Sequence, residues 1–181
     1  MDSGECFVGD KIYYNTIMNK SCSDEKLKLN IKMSSVNINY DANVWDWDLV
    51  TAILRSPPSE HFKNLEVHEF RNFVQRITDY FKPTSGRFCR VELSDPKSRI
   101  LARTGCYLMD FLIEAESFEA TRILDEFMKD VQDCLTNVIQ ADNANECLLA
   151  PAKLATTACQ YYFLLIGRLS RSSKGKQIAN C

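Results

Sequence analysis

The chain has 181 residues, a net charge of −2, 45% hydrophobic residues and 25% charged ones. That length suits one domain or one slice of a larger array, with the composition of an ordinary soluble globular protein. The charge points to neither nucleic acid nor an acidic membrane surface, and the longest near-continuous apolar run, YYFLLIG at 161–167, is far too short to cross a bilayer.

The opening stretch, MDSGECFVGDKIYY, has no apolar core behind a basic leader, so no secretory signal is expected. The eight cysteines include no C-x-x-C pair, and several fall in apolar helical stretches. Free thiols in a reducing, cytoplasmic compartment are expected, and the NKS sequence at 19–21 is then a chance glycosylation match. Residues 1–43 are rich in Asn, Ser and Lys and read as a low-order polar leader, with Ile31, Met33, Ile38 and Tyr40 hinting at strand-like alternation.

From residue 44 onward the pattern is helical, and five helices are expected. The first spans about 44–55, capped by Asn43 and stopped by RSPP. The second spans about 65–81, where Val67, Phe70, Val74, Ile77 and Phe81 recur at +3 and +4 and Phe73 and Tyr80 widen the face. Pro83 and Gly86 end it in a turn. Asp95 caps a third helix with Pro96 in its first position, and Ile100, Leu101, Leu108, Phe111 and Leu112 form its stripe. A fourth follows Ser117, with Leu124, Phe127, Met128, Val131, Leu135, Val138 and Ile139, and ends at the polar loop 140–147. The fifth runs from about 151 to 169 through Leu154, Ala158, Tyr161, Tyr162, Leu165 and Leu169, and is broken by SRSSKG. The fold class is all-α with successive antiparallel helices stacked through short links. Expected core positions include Trp45, Trp47, Phe70, Phe73, Val74, Ile77, Phe111, Phe127, Tyr162 and Leu165.

The two tryptophans, Trp45 and Trp47, are two positions apart, and on a helix such residues do not share a face. Trp45, Leu49, Ala52 and Ile53 fall on one side, and Trp47, Val50 and Leu54 on the other, with a wet strip of Asp48, Thr51 and Arg55. A helix with so wide an apolar arc is expected to have neighbours on two sides.

Little chemistry is visible. His61 and His68 lack the H-E-x-x-H arrangement and no cysteine completes zinc spacing, so no metal or other cofactor is expected. The glycines form no phosphate cradle; Gly86 reads as a turn residue, and Gly105 and Gly167, inside helical stripes, as sites of close helix approach. Glu114, Glu116, Glu119, Asp125, Glu126, Asp130 and Asp133 read as a solvated acidic face, or as a dock for a basic segment. Arg71, Arg76, Lys82 and Arg87, with Asn43 nearby if the first two helices pack together, form a solvated basic face or a candidate phosphate-binding group. RLSRSSKGK at 168–176 reads as an inter-helix loop that could carry phosphorylation or a contact.

The blocks WDWDLVTAIL, HEFRNFVQRITDYFKPTSGRF, GCYLMDFLIEAE and QYYFLLIGRLSRSSKGKQIANC, in that order over about 44–181, resemble the Rictor (pianissimo) family, scaffold subunits of target-of-rapamycin complex 2. The W-x-W opening, the aromatic-Lys-Pro turn and the Q-Y-Y-F-L-L-I-G-R-L-S block carry the resemblance. It implies an armadillo/HEAT-like superhelix of which this chain is an incomplete slice. It further implies a non-catalytic scaffold whose partners are the target-of-rapamycin kinase and the other subunits of complex 2, cytoplasmic or membrane-associated through that complex. The complex acts on AGC-class kinases, with catalysis in another chain. Two alternatives stay open: a nucleotide- or inositol-phosphate-sensing module on the basic group, and a free-standing adaptor that docks peptides.

Overall fold

The computed structural model describes residues 24–55, 60–140 and 149–171. The side chains of residues 60, 61 and 138–140 lie outside the description, as do the expected polar loop, the RSPP stop and the serine-rich stretch after residue 171. The fold is all-α, with helices packed directly on one another. A first helix, α1, covers 24–33, followed by a three-ten turn at Ala42–Val44. Then come α2 (Trp47–Arg55), the single turn α3 (Glu60–Lys63), α4 (His68–Phe81), α5 (Lys97–Glu114), α6 (Phe118–Gln140), α7 (Pro151–Thr156) and α8 (Tyr161–Leu169).

The low-order leader is corrected: within 1–43, residues 24–33 are helical, and Leu27, Ile31 and Val36 enter the core. Leu27 and Ile31 stand one turn apart and make a stripe too narrow to stand out in a Lys- and Asn-rich stretch. The strand-like alternation is also absent, since Ile31 is buried while Met33, Ile38 and Tyr40 are exposed.

The tryptophan reading changes as well. Trp45 has extended backbone and ends the three-ten turn, so only Trp47 is helical. Asp46, not Asn43, caps α2, its carboxylate accepting from the Leu49 N–H at 2.9 Å. Both indoles therefore turn to one side. Their ring centroids are 5.3 Å apart, and both pack on Tyr80, at 5.9 Å from Trp45 and 4.7 Å from Trp47. They are 5% and 8% exposed, and burying an indole is worth roughly 2–3 kcal/mol. Their N–H groups donate to Asn39 O at 3.0 Å and Ala42 O at 3.1 Å, so neither polar tip is stranded. Thr51, expected in the wet strip, is buried, with its hydroxyl 2.7 Å from that of Thr104 on α5.

α5 is the central helix, packing most extensively on α2 and α8 and then on α6 and α4. Residues 115–117 link it to α6, a connection short enough to make the two an antiparallel pair. Asp95 accepts from the Lys97 N–H at 2.8 Å, the cap expected there, although α5 begins at Lys97, just after Pro96; Ser117 likewise accepts from the Ala120 N–H at 3.1 Å at the start of α6. A Cβ at Gly105 would lie 2.9 Å from Leu165 Cδ2 and 3.2 Å from Phe81 Cε1, the close approach expected there. Gly167 has open space instead, so that expectation is corrected. Gly86 takes φ +66 after the turn Pro83–Ser85, a conformation glycine adopts without steric cost.

The expected fifth helix is two helices. Thr157 is extended, at φ −124 and ψ 171, and pairs with Glu92 in an antiparallel bridge. Leu93 N–H donates to Thr156 O at 3.0 Å and Ala158 N–H to Val91 O at 2.7 Å, so long-range backbone bonds replace local helical ones. The core positions named from the sequence, Trp45, Trp47, Phe70, Phe73, Val74, Ile77, Phe111, Phe127, Tyr162 and Leu165, are all buried. The Tyr162 hydroxyl donates to Phe81 O at 2.6 Å, satisfying a carbonyl left open at the end of α4.

Candidate functional site

Ser35 ends α1 with a positive φ of 63, and the chain then runs along α4. Three bonds pin this linker. Asn37 Nδ2 donates to Glu69 O at 2.8 Å, Arg76 Nη2 donates to Asn39 O at 2.8 Å, and Trp45 Nε1 donates to the same carbonyl at 3.0 Å. The Arg76 guanidinium lies 4.5 Å from the centre of the Tyr40 ring, in cation–π range. Between linker and helix is a cleft of about 550 Å³ lined by Asn37, Tyr40, Glu69, Asn72, Gln75 and Arg76.

Of the candidate anion-binding residues, only Arg76 lines this cleft. Asn43 is exposed in the three-ten turn, its N–H given to Asp41 Oδ1 at 2.9 Å. Arg71 faces α6, where its charge acts on Glu119. Lys82 is held by Asp79 at 2.8 Å and Glu126 at 3.5 Å; partial burial opposes its charge, but these carboxylates raise its pKa above the ordinary value. Arg87 is exposed beyond Gly86. The four cations and Asn43 thus point to different partners. Arg76 has a carbonyl and an aromatic face for company, with no carboxylate bound to it among the described residues.

The acidic side chains of α6 are partly engaged within the fold. Arg122 bonds Glu119 and Glu126, and hydrogen bonding from Arg122 lowers the Glu119 pKa against the opposing effect of burial. Asp130 accepts from Thr84 N at 3.0 Å and from Thr84 Oγ1 at 2.6 Å, tying α6 to the turn after α4. Cys89, Cys134 and Cys159 are buried and Cys106 half-buried, and none of the four is in a disulfide. His68 lies against Asn72, while the His61 side chain is outside the description. Among the described residues, no group of three or more His, Cys, Asp or Glu side chains is placed to hold a metal ion. No described helix is long and apolar enough to cross a membrane.

Asn37, Tyr40 and Asn72 are cleft residues that the sequence reading missed. The first two fall in the stretch read as leader, and only the Leu27–Ile31–Val36 spacing beneath them signals that this stretch is ordered.

A packed all-α chain, with a pinned linker and a polar cleft, belongs to the class of helical-repeat proteins. Comparison with known proteins narrows the class. A family profile described as "Rapamycin-insensitive companion of mTOR, middle domain" matches residues 140–180. The chain is 31% identical over 160 residues to "Rapamycin-insensitive companion of mTOR" of Mus musculus, covering 88% of this chain and 9% of that protein. The Homo sapiens protein of the same name is 29% identical over 160 residues, with the same coverage. "Target of rapamycin complex 2 subunit ste20" of Schizosaccharomyces pombe is 23% identical over 137 residues, which is 74% of this chain and 10% of that protein. The chain is Rictor-like, and it spans about a tenth of the length of the curated relatives it matches.

Proposed function

We propose that this chain serves in a Rictor-like subunit of target-of-rapamycin complex 2 as a non-catalytic helical scaffold element. The similarity over 88% of its length to Rapamycin-insensitive companion of mTOR supports this reading most strongly. Its partners are then the target-of-rapamycin kinase and the other subunits of the complex. Its place is the cytoplasm, with membrane association through the complex. Residues 44–181, with the added α1 layer, act as a layer in a longer superhelix. Chemistry belongs to the kinase chain.

Affinity purification of the tagged polypeptide from cells tests the proposal. The kinase should co-purify with the wild type, and a core-breaking Leu108→Asp variant should lose it. A correctly folded chain that recovers no kinase, or turnover by the chain alone, would overturn the reading.

One observation favours a second role, the sensing of a phosphate-bearing ligand: Arg76 lines the linker–α4 cleft with no carboxylate bound to it. Guanidinium donors bind phosphate bidentately. Millimolar nucleotide or inositol phosphate should then raise the unfolding temperature of the wild type and leave Arg76→Ala unchanged. No shift in the wild type rejects the role.

A further inference from the structure

Two cysteines 70 residues apart in the chain meet at one tertiary contact. Cys89 lies in the three-ten turn Phe88–Arg90, and Cys159 in the three-ten turn Ala158–Gln160. The antiparallel bridge between Glu92 and Thr157, with the 2.7 Å bond from Ala158 N–H to Val91 O, holds the two turns side by side. The Cys159 thiol donates to Cys89 O at 3.1 Å, and the two thiols also hydrogen-bond each other. A disulfide demands that two backbones be held close together, with Cα atoms within about 7 Å. The pairing beside these turns supplies such a hold.

Both side chains are buried, so reaction depends on a way in. A narrow apolar crevice between α6, α7 and α8 provides it, lined by Leu135, Leu154, Cys159, Phe163 and Ile166. Phe163 is 60% exposed and Cys159 0% exposed, so the crevice leads from the surface to the thiol. Its free volume of about 10 Å³ gives room for a single water-sized molecule. Such a passage admits a small neutral reagent and turns away a bulky or charged one.

The two thiols are not equivalent. The hydrogen bond from Cys89 lowers the Cys159 pKa against the opposing effect of burial, with smaller help from the Thr157 hydroxyl and the Lys153 charge. The same bond, together with burial, raises Cys89. The thiolate is the reactive form, so Cys159 attacks first and Cys89 second. Cys106, raised by burial, has no such activation.

We propose that Cys89 and Cys159 form a peroxide-responsive thiol pair, oxidised to a disulfide by hydrogen peroxide entering through the crevice beside Phe163. The Cys159 thiolate attacks one peroxide oxygen. The O–O bond breaks, the departing hydroxide takes up the proton that Cys159 had given up, and Cys159 becomes a sulfenic acid. The Cys89 sulfur then attacks that sulfur. The S–S bond forms, the S–O bond breaks, and the hydroxide leaves as water with the Cys89 proton. In sum, two thiols lose two electrons and two protons, and one peroxide is reduced to two waters. Disulfides of this transient, responsive kind are the ones a reducing compartment permits. The proposal depends neither on the phosphate role of Arg76 nor on membership of the kinase complex.

Peptide mass spectrometry on the whole folded chain tests it, after treatment with hydrogen peroxide, alkylation in denaturant and digestion. A linked pair of peptides joining Cys89 to Cys159 should appear, lighter than their sum by two hydrogens and separated again by dithiothreitol. The oxidised chain should unfold about 5–10 °C higher than the reduced one. In Cys89→Ser, Cys159 should gain oxygen and go no further, whereas in Cys159→Ser, Cys89 should stay unmodified. The wild-type link is read directly, so it decides the matter even if a serine variant misfolds. Absence of the link, an equal yield of it from urea-unfolded chain, an unshifted unfolding temperature, or oxidation of Cys89 in Cys159→Ser would overturn the proposal.

Discussion

Two glycines inside helices make opposite demands. Gly105 sits where a methyl group would press on Leu165 and Phe81, both buried. Alanine there gains helix propensity of about 1 kcal/mol but overpacks the α5–α8 contact, which typically costs about 1–3 kcal/mol. Gly105→Ala should therefore lower the midpoint of calorimetric unfolding. Gly167, with open space around it, should show the reverse, and Gly167→Ala should raise the midpoint through helix propensity. The sequence placed both glycines in helical stripes and could not tell them apart, because the difference lies in what the neighbouring helix brings. A second effect at single side chains concerns alkaline pH. Burial pushes the Tyr80 phenol up to about 12, against a small opposing pull from Arg87, and burial also raises Tyr162. In the unfolded chain these phenols ionise near about 10. The unfolded state thus sheds protons first, and stability that is full below about pH 10 falls as pH rises from there towards 12. Tyr80→Phe should flatten part of that alkaline fall in chemical-denaturation curves taken across the range.

The interface of α2 with α5 carries a polar device within an apolar seam. The Thr51 and Thr104 hydroxyls face each other at 2.7 Å, with Trp47 O 2.7 Å from the first and Ile100 O 2.8 Å from the second; having one proton each, the pair makes the cross-helix bond and one of the two carbonyl bonds at a time. Replacing one with valine removes the cross-link and should cost about 1 kcal/mol. The double Thr51→Val, Thr104→Val variant should cost less than the sum of the two, since no hydroxyl is left facing an apolar partner; a double-mutant cycle on urea midpoints checks this. At this scale the sequence was informative wherever one helix buries one broad stripe. The face of α4 through Phe70, Phe73, Val74, Ile77 and Phe81 followed directly from 3.6-residue spacing. It was uninformative where ordering comes from elsewhere. PAKLATTACQYYF has continuous helical character, and what splits it at Thr157 is backbone pairing with Val91–Leu93, far away in the chain. α1 was missed because its two inward residues, Leu27 and Ile31, are outnumbered by lysines and asparagines.

For the whole molecule, the candidate site shows the same limit. Residue types at 71, 76, 82 and 87 marked a basic group, yet their partners come from other layers: Asp79 and Glu126 for Lys82, Asn39 and Tyr40 for Arg76. Charge could be read locally, but convergence could not. The described helices are arranged around α5, and the backbone bonds joining 91–93 to 156–158 enclose α5, α6 and α7 between them. Those few bonds act as a clasp, closing the intervening helices into a loop without a covalent link. Fraying at one end of the loop must therefore open the clasp before it can spread. The amides of Leu93 and Ala158 should exchange with solvent at one common rate, and that rate should report the opening of the whole loop rather than of either strand alone.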